Sequence, residues 1–231
     1  CEGYKNRCGQ CPALYSTNPK DLSYNNFLQK LYYVRKTDLT IVTGTERLNR
    51  QANQSALFVG KKMAKVMAGI DSDLFKPFDT KLARAVFNLP QEGKIIFFAA
   101  PSLGEQRKGA EYLLQALGIL SNILPTDLRE QVLLITAGRD EGNIIEGVPF
   151  THKSLGILND DRLLALAYRS ADVFICPSIE DSGPMTINES IMCGTPVVAF
   201  DMGVAPDLVH TGKTGYRAKL KDSEDLGKGI A

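Results

Sequence analysis

Val173-Phe174-Ile175-Cys176-Pro177-Ser178-Ile179-Glu180-Asp181-Ser182-Gly183-Pro184-Met185-Thr186-Ile187-Asn188-Glu189-Ser190-Ile191-Met192-Cys193-Gly194-Thr195-Pro196-Val197-Val198-Ala199-Phe200 is the stretch on which the fold turns. Val173 to Cys176 is apolar without alternation, so a strand there must be covered on both faces. A loop of small and polar residues follows. Helical spacing begins near Thr186 and runs to Met192, Gly194 and Pro196 interrupt it, and Pro196 to Phe200 reads as another buried strand. Strand, loop, helix and strand in that order form the repeating unit of a parallel sheet.

The alternation extends upstream. Lys94 to Ala100 is a buried strand, Pro101 to Arg107 a loop, and Gly109 to Leu120 a helix burying Leu113, Leu114, Leu117 and Leu120. Gln131 to Ala137 is a strand closed by Gly138, and Asn159 to Tyr168 a helix with Asn159 as N-cap. Nearer the start, Leu39 to Val42 and Met63 to Met67 read as short strands flanking a helix from Glu46 to Phe58. Turn formers from Gly69 to Asp79 mark a linker. The expected fold class is α/β, with residues 1–69 in one domain and 70–231 in a second, doubly wound one. Ligands of such sheets bind beyond the carboxyl ends of the strands.

The chain has 231 residues and a net charge of +1, with basic and acidic residues interspersed, so nucleic acid is not an expected partner. The longest apolar run, Ile95 to Ala100, falls far short of the about 18–20 residues of a membrane-spanning helix. The chain opens on Cys1 without a Met and stops at Ala231 just after helical spacing resumes, so both ends are expected to be cut. Cys176 and Cys193 sit in apolar surroundings and read as buried thiols. Cys1, Cys8 and Cys11 form a cluster with zinc-knuckle spacing but one ligand short, and the competing readings are a glycine-rich turn or a disulfide.

Two motifs fail. Gly212-Lys213-Thr214 lacks the glycine a P-loop needs five positions earlier, where Asp207 stands, and no G-x-G-x-x-G is present. The loop before Thr186 offers something different. Gly183 permits close backbone approach, and the N–H groups of Met185, Thr186 and Ile187 at a helix start form an anion site suited to a pyrophosphate. Asp181 enters that loop and Glu189 lies one turn into the helix, a spacing at which two acids can bond hydroxyls at either end of a nucleotide sugar. Thr186-Ile187-Asn188-Glu189 also spells a capping box, in which Glu189 merely bonds back to the helix start.

From about Asp38 onward the sequence resembles the C-terminal half of the family-four, group 1 retaining glycosyltransferases. The resemblance rests on Gly69-Ile70-Asp71 with Phe75-Lys76-Pro77, Arg107-Lys108-Gly109 with Leu113-Leu114, and Gly156-Ile157-Leu158-Asn159-Asp160-Asp161. It continues through Tyr168, Ala171-Asp172-Val173-Phe174, Pro177-Ser178, Glu189, Cys193-Gly194-Thr195-Pro196-Val197-Val198 and Thr214-Gly215-Tyr216. Cys8-Gly9-Gln10-Cys11-Pro12 is similar to a cysteine segment of some bacterial members.

The resemblance implies a GT-B fold, with a donor-binding Rossmann-like domain following the tail of an acceptor-binding one. It implies sugar transfer, with retention, from a UDP- or GDP-sugar to a hydroxyl of a saccharide or lipid-linked acceptor, or as alternatives an epimerase or a non-catalytic nucleotide-sugar-binding module. Lys108 matches the lysine that neutralises the diphosphate, Glu189 the ribose-binding carboxylate, and Asp181 the first acid of the E-x7-E pattern. Gly156, Ile157 and Leu158 match the loop beside the nucleobase, and Glu180, Ser182, Gly183, Pro184, Met185 and Thr186 the remainder of the donor loop. Departures are Asp181 for Glu with Glu180 beside it, Leu103 where many members have arginine, a charge Arg107 is then expected to supply, and Ala68 for asparagine. No metal cofactor is implied, the location implied is the cytoplasm or the inner membrane face, and this portion alone is expected to be inactive. Neither His152 nor His210 fits the histidine expected near the sugar.

Overall fold

The computed structural model describes residues 2–231, and the chain divides into two compact units, Cys1–Met67 and Ala68–Ala231. In the first, α1 (Leu22–Lys36), β1 (Thr40–Thr43), α2 (Glu46–Gln54) and β2 (Lys62–Lys65) follow one another, and β1 and β2 pair in parallel. Each helix is started by a side-chain cap. Asp21 accepts the Tyr24 N–H ahead of α1, and Thr45 accepts the Leu48 N–H ahead of α2. Helix α2 ends four residues before the expected Phe58, because the chain leaves helical geometry at Ser55. Helix α1 was not anticipated; it buries only Phe27, so no apolar stripe announced it.

The second unit runs α3 (Thr80–Val86), β3 (Lys94–Ser102), α4 (Ala110–Ile123), α5 (Thr126–Arg129), β4 (Val132–Arg139), β5 (Thr151–Ser154), α6 (Asp161–Ser170), β6 (Val173–Cys176), α7 (Met185–Met192), β7 (Val197–Phe200), α8 (Ala205–Leu208), β8 (Gly215–Ala218) and α9 (Ser223–Ile230). Its sheet has the order β5-β4-β3-β6-β7-β8 with every neighbouring pair parallel. Alternate residues of each central strand serve opposite faces. Ile95, Phe97, Ile135, Phe174, Val197 and Ala199 pack with Tyr168 of α6 and Ile187 of α7. Ile96, Phe98, Leu134, Ile175, Val198 and Phe200 pack with Leu113, Leu117 and Leu120 of α4 and Leu226 of α9. The sheet is thus doubly wound.

Further details differ from expectation. The N-cap of α6 is Asp160 rather than Asn159, its carboxylate accepting the Arg162 N–H at 2.8 Å. Edge strands β5 and β8 were missed: the residues of β5, Thr151-His152-Lys153-Ser154, are polar and largely exposed, and β8, Gly215-Tyr216-Arg217-Ala218, opens on a glycine and is too short to show a pattern. At the pole where the central strands begin, buried Arg84 donates to Ser170 O at 3.1 Å, Gln91 O at 2.9 Å and Asp172 Oδ2 at 2.9 Å, tying α3 to the start of β6. Cys176 and Cys193 are buried, as expected, and burial pushes the Cys193 thiol up to about 12. Among the described residues no helix is long and apolar enough to cross a membrane.

Candidate functional site

The strand order reverses at β3, which has β4 on one side and β6 on the other. Connections leaving two such neighbours to opposite sides open a crevice at their carboxyl ends, the place where doubly wound sheets bind ligands. The loops after β3 and β6 meet there. After β3, Gln106–Lys108 form a single 3-10 turn, with the Lys108 N–H donating to Glu105 O at 2.8 Å. Gly109 ends it at φ +74, and a Cβ on Gly109 would lie 1.9 Å from the Pro177 carbonyl oxygen. Only glycine lets this turn lie so close to the loop after β6. The Ile179 N–H donates to Arg107 O at 2.9 Å and closes the seam.

That seam brings opposite charges together. Lys108 Nζ donates to Asp181 Oδ2 at 2.8 Å, and Arg107 Nη1 to the same oxygen at 3.3 Å while its Nε pairs with Glu105. The Lys108 and Asp181 side chains are 16% and 12% exposed, and Arg107 is far more open. The Gly183 N–H donates to Asp181 Oδ1 at 3.1 Å. Burial pushes the Asp181 carboxyl up, but the Lys108 and Gly183 hydrogen bonds and the two cations together hold it below the usual carboxylate range. Asp181 meets the cations, whereas its neighbour Glu180 is exposed. Leu103 is fully buried in the core beneath α4, so the site's cations come from Arg107 and Lys108.

Helix α7 begins at Met185 with Pro184 as N-cap and no side-chain cap. The capping-box reading therefore fails, because it needs Thr186 outside the helix. Glu189 sits at the fifth helical position instead, and its Oε2 accepts the Tyr168 hydroxyl at 2.8 Å. Burial pushes the Glu189 carboxyl up, with the Tyr168 hydrogen bond opposing and Asp161 reinforcing that rise. The Ile187 N–H is spent on Pro184 O at 3.2 Å, so the helix start offers the N–H groups of Met185 and Thr186 rather than three. Ser182 is exposed and Gly183 half-buried in the loop leading to that helix start.

Gly156, Ile157 and Leu158 lie between β5 and α6. The Gly138 N–H at the end of β4 donates to Gly156 O at 2.8 Å, Ile157 is exposed, and Leu158 packs on the core. Beside them is a depression of about 760 Å³ lined by Asp71, Asp73, Leu74, Asn159, Asp160, Asp161 and Arg162. Asp71-Ser72-Asp73 is an Asp-x-Asp sequence that the metal-free expectation passed over. The Asp71 carboxylate accepts the Asp73 and Leu74 N–H groups at 2.9 and 3.2 Å, as a turn does. Cys8 and Cys11 are free, half-buried thiols, while Cys1, and with it the three-cysteine zinc reading, falls outside the described residues. Among the described residues no group of three or more His, Cys, Asp or Glu is placed to hold a metal ion.

Sequence reasoning missed the hydroxyl of Tyr168 as the partner of Glu189. The available signal was a tyrosine on the buried face of an apolar helix, since a buried phenol needs a hydrogen-bond partner. Comparison with known proteins bears on the family and the fold. The family described as Glycosyl transferases group 1 matches residues 93–231. A D-inositol 3-phosphate glycosyltransferase of Streptomyces scabiei is 32% identical over 173 residues, which are 70% of this chain and 38% of that protein. The chain thus spans about two fifths of that relative. Sucrose-phosphate synthase from Thermosynechococcus elongatus superposes with a TM-score of 0.71 at 19% identity, over 94% of this chain and 54% of that one. Anabaena HepE in complex with UDP and glucose gives 0.68 at 19% identity, over 94% and 57%. The fold is that of GT-B glycosyltransferases, and with more than half its length matched by the family, this chain belongs to the group 1 glycosyltransferases.

Proposed function

We propose that the chain is the donor-binding portion of a retaining glycosyltransferase that moves a sugar from a nucleoside-diphosphate sugar to a hydroxyl acceptor. Residues 70–231 form the donor domain on this reading, and residues 1–69 are the tail of an acceptor-binding domain. The observation that carries it is the Lys108–Asp181 contact at the strand-order reversal, next to the start of α7. A diphosphate gains negative charge as the glycosidic bond breaks. Lys108, Arg107 and the Met185 and Thr186 N–H groups are the preformed positive end that stabilises it.

Glu189 is assigned to the ribose hydroxyls, Asp181 with Glu180 to the donor sugar, and Gly156 to Leu158 to the base. Ser182, Gly183 and Pro184 form the loop that carries the diphosphate to the helix. UDP stands in the solved complexes of HepE and supports a uridine donor here, with guanosine as the competitor. The D-inositol 3-phosphate glycosyltransferase supports an acceptor that is a phosphorylated polyol. Calorimetric titration of UDP and GDP into wild type and Glu189→Gln tests the reading. Loss of charge-assisted hydrogen bonds worth about 1.5–3 kcal/mol lowers affinity about tenfold or more. Equal affinities in wild type and variant would remove Glu189 from the site.

A further inference from the structure

Tyr168 is wholly buried, in the last turn of α6, and its surroundings allow it one posture. Its ring meets Phe174 and Phe97 edge-on with centroids 5.0 and 5.4 Å away, and its carbonyl accepts the Thr195 hydroxyl at 2.7 Å. The phenol hydroxyl donates to Glu189 Oε2 at 2.8 Å. A buried hydroxyl fixed at both ring and backbone is a rigid peg, whereas a glutamate on a helix has three rotatable bonds.

We propose that Tyr168 is a positioning residue for nucleotide binding, its hydroxyl holding Glu189 by Oε2 so that Oε1 is left to accept from a ribose hydroxyl. The inference rests on the ribose reading of Glu189 and adds what makes that carboxylate selective. A carboxylate held by one oxygen loses little conformational freedom when the other is used, so the hydroxyl's presence on the ligand is felt in full. Burial keeps the Tyr168 phenol protonated, so it serves only as a donor. The titratable groups facing Glu189 are Tyr168 and Asp161 of α6 and Cys193 after α7, and of these Tyr168 alone favours the ionised carboxylate. Binding that needs this carboxylate ionised fails as pH falls through its pKa; removing the hydroxyl raises that pKa, so binding fails at a higher pH.

The test is calorimetric binding of UDP, GDP and their 2′-deoxy counterparts from pH 5 to 8, to wild type, Tyr168→Phe, Glu189→Gln and the double variant. In wild type the ribose form binds about tenfold more tightly than the 2′-deoxy form. Tyr168→Phe keeps the ring, loses most of that ratio, leaves the 2′-deoxy affinity unchanged, and moves the acid limb of ribose-form binding to higher pH; the double variant matches Glu189→Gln. A ratio and acid limb unchanged in Tyr168→Phe would overturn the positioning role while leaving the ribose reading intact. No ribose preference in wild type would overturn both. Should Tyr168→Phe not fold, labelling with 3-fluorotyrosine, a stronger donor in the same place, decides the matter. The acid limb then moves to lower pH if Tyr168 holds Glu189, and an unmoved limb contradicts it.

Discussion

Lys108 Nζ lies 2.8 Å from Asp181 Oδ2, so the cation assigned to a diphosphate already has an anionic partner within the protein. A diphosphate entering the crevice competes with that carboxylate for the lysine. Asp181→Asn should therefore strengthen UDP binding, by about 1 kcal/mol or about fivefold for a partly exposed pair. Binding of a UDP-sugar should gain less, because the same residue is assigned to the sugar. Titration of both ligands checks this; weaker UDP binding in the variant would show that Asp181 supports the diphosphate instead of competing with it.

Arg84 supplies a stability test remote from the crevice. Its guanidinium ties four backbone carbonyls and Asp172 together from a buried position. Arg84→Leu removes the buried donor from those carbonyls and leaves Asp172 with only the Ile95 N–H and the exposed Lys94. It should cost about 3 kcal/mol, read as a lowered denaturation midpoint, with UDP affinity unchanged in the folded fraction.

Much of this was legible in advance, and the reasons are specific. The central strands announced themselves because Ile95 to Ala100 and Val173 to Cys176 are buried on both faces and so cannot alternate. Edge strand β5 was silent because its exposed edge lets polar residues occupy it, and β8 because Gly215-Tyr216-Arg217-Ala218 is too short to show a pattern. Lys108 and Asp181 were both singled out, yet their pairing could not be read, because it depends on Gly109 letting two loops touch 73 residues apart. Glu189 was ambiguous until the helix start was placed; a shift of two residues in the N-cap, from Thr186 to Pro184, takes Glu189 out of the capping position.

Asp21 predicts a pH dependence in the first unit. The Cys11 N–H, the Ser23 hydroxyl and the Tyr24 N–H donate to its carboxylate, and they bring its pKa from 3.8 down to about 2. A depressed folded-state pKa contributes stability that is present above the unfolded value and lost as pH falls through the folded one. Thermal unfolding of wild type and Asp21→Asn should thus differ at pH 5 to 7 and converge as pH falls from about 4 towards 2. A constant difference across that range would assign the effect to packing.

Metal removal is a further check. With the positive end of the crevice built from Lys108, Arg107 and the start of α7, UDP affinity should be unchanged by EDTA. A marked loss that magnesium restores would direct attention to Asp71 and Asp73, whose depression also receives Asp160 and Asp161.

The most direct measurement compares UDP with uridine on wild type and Lys108→Ala by isothermal titration. If Lys108 faces the diphosphate, the variant loses about 2 kcal/mol, or about thirtyfold, in UDP affinity while uridine binds as before. Equal losses for UDP and uridine, or no loss for either, would contradict the placement of a nucleoside diphosphate at the Lys108–Asp181 crevice.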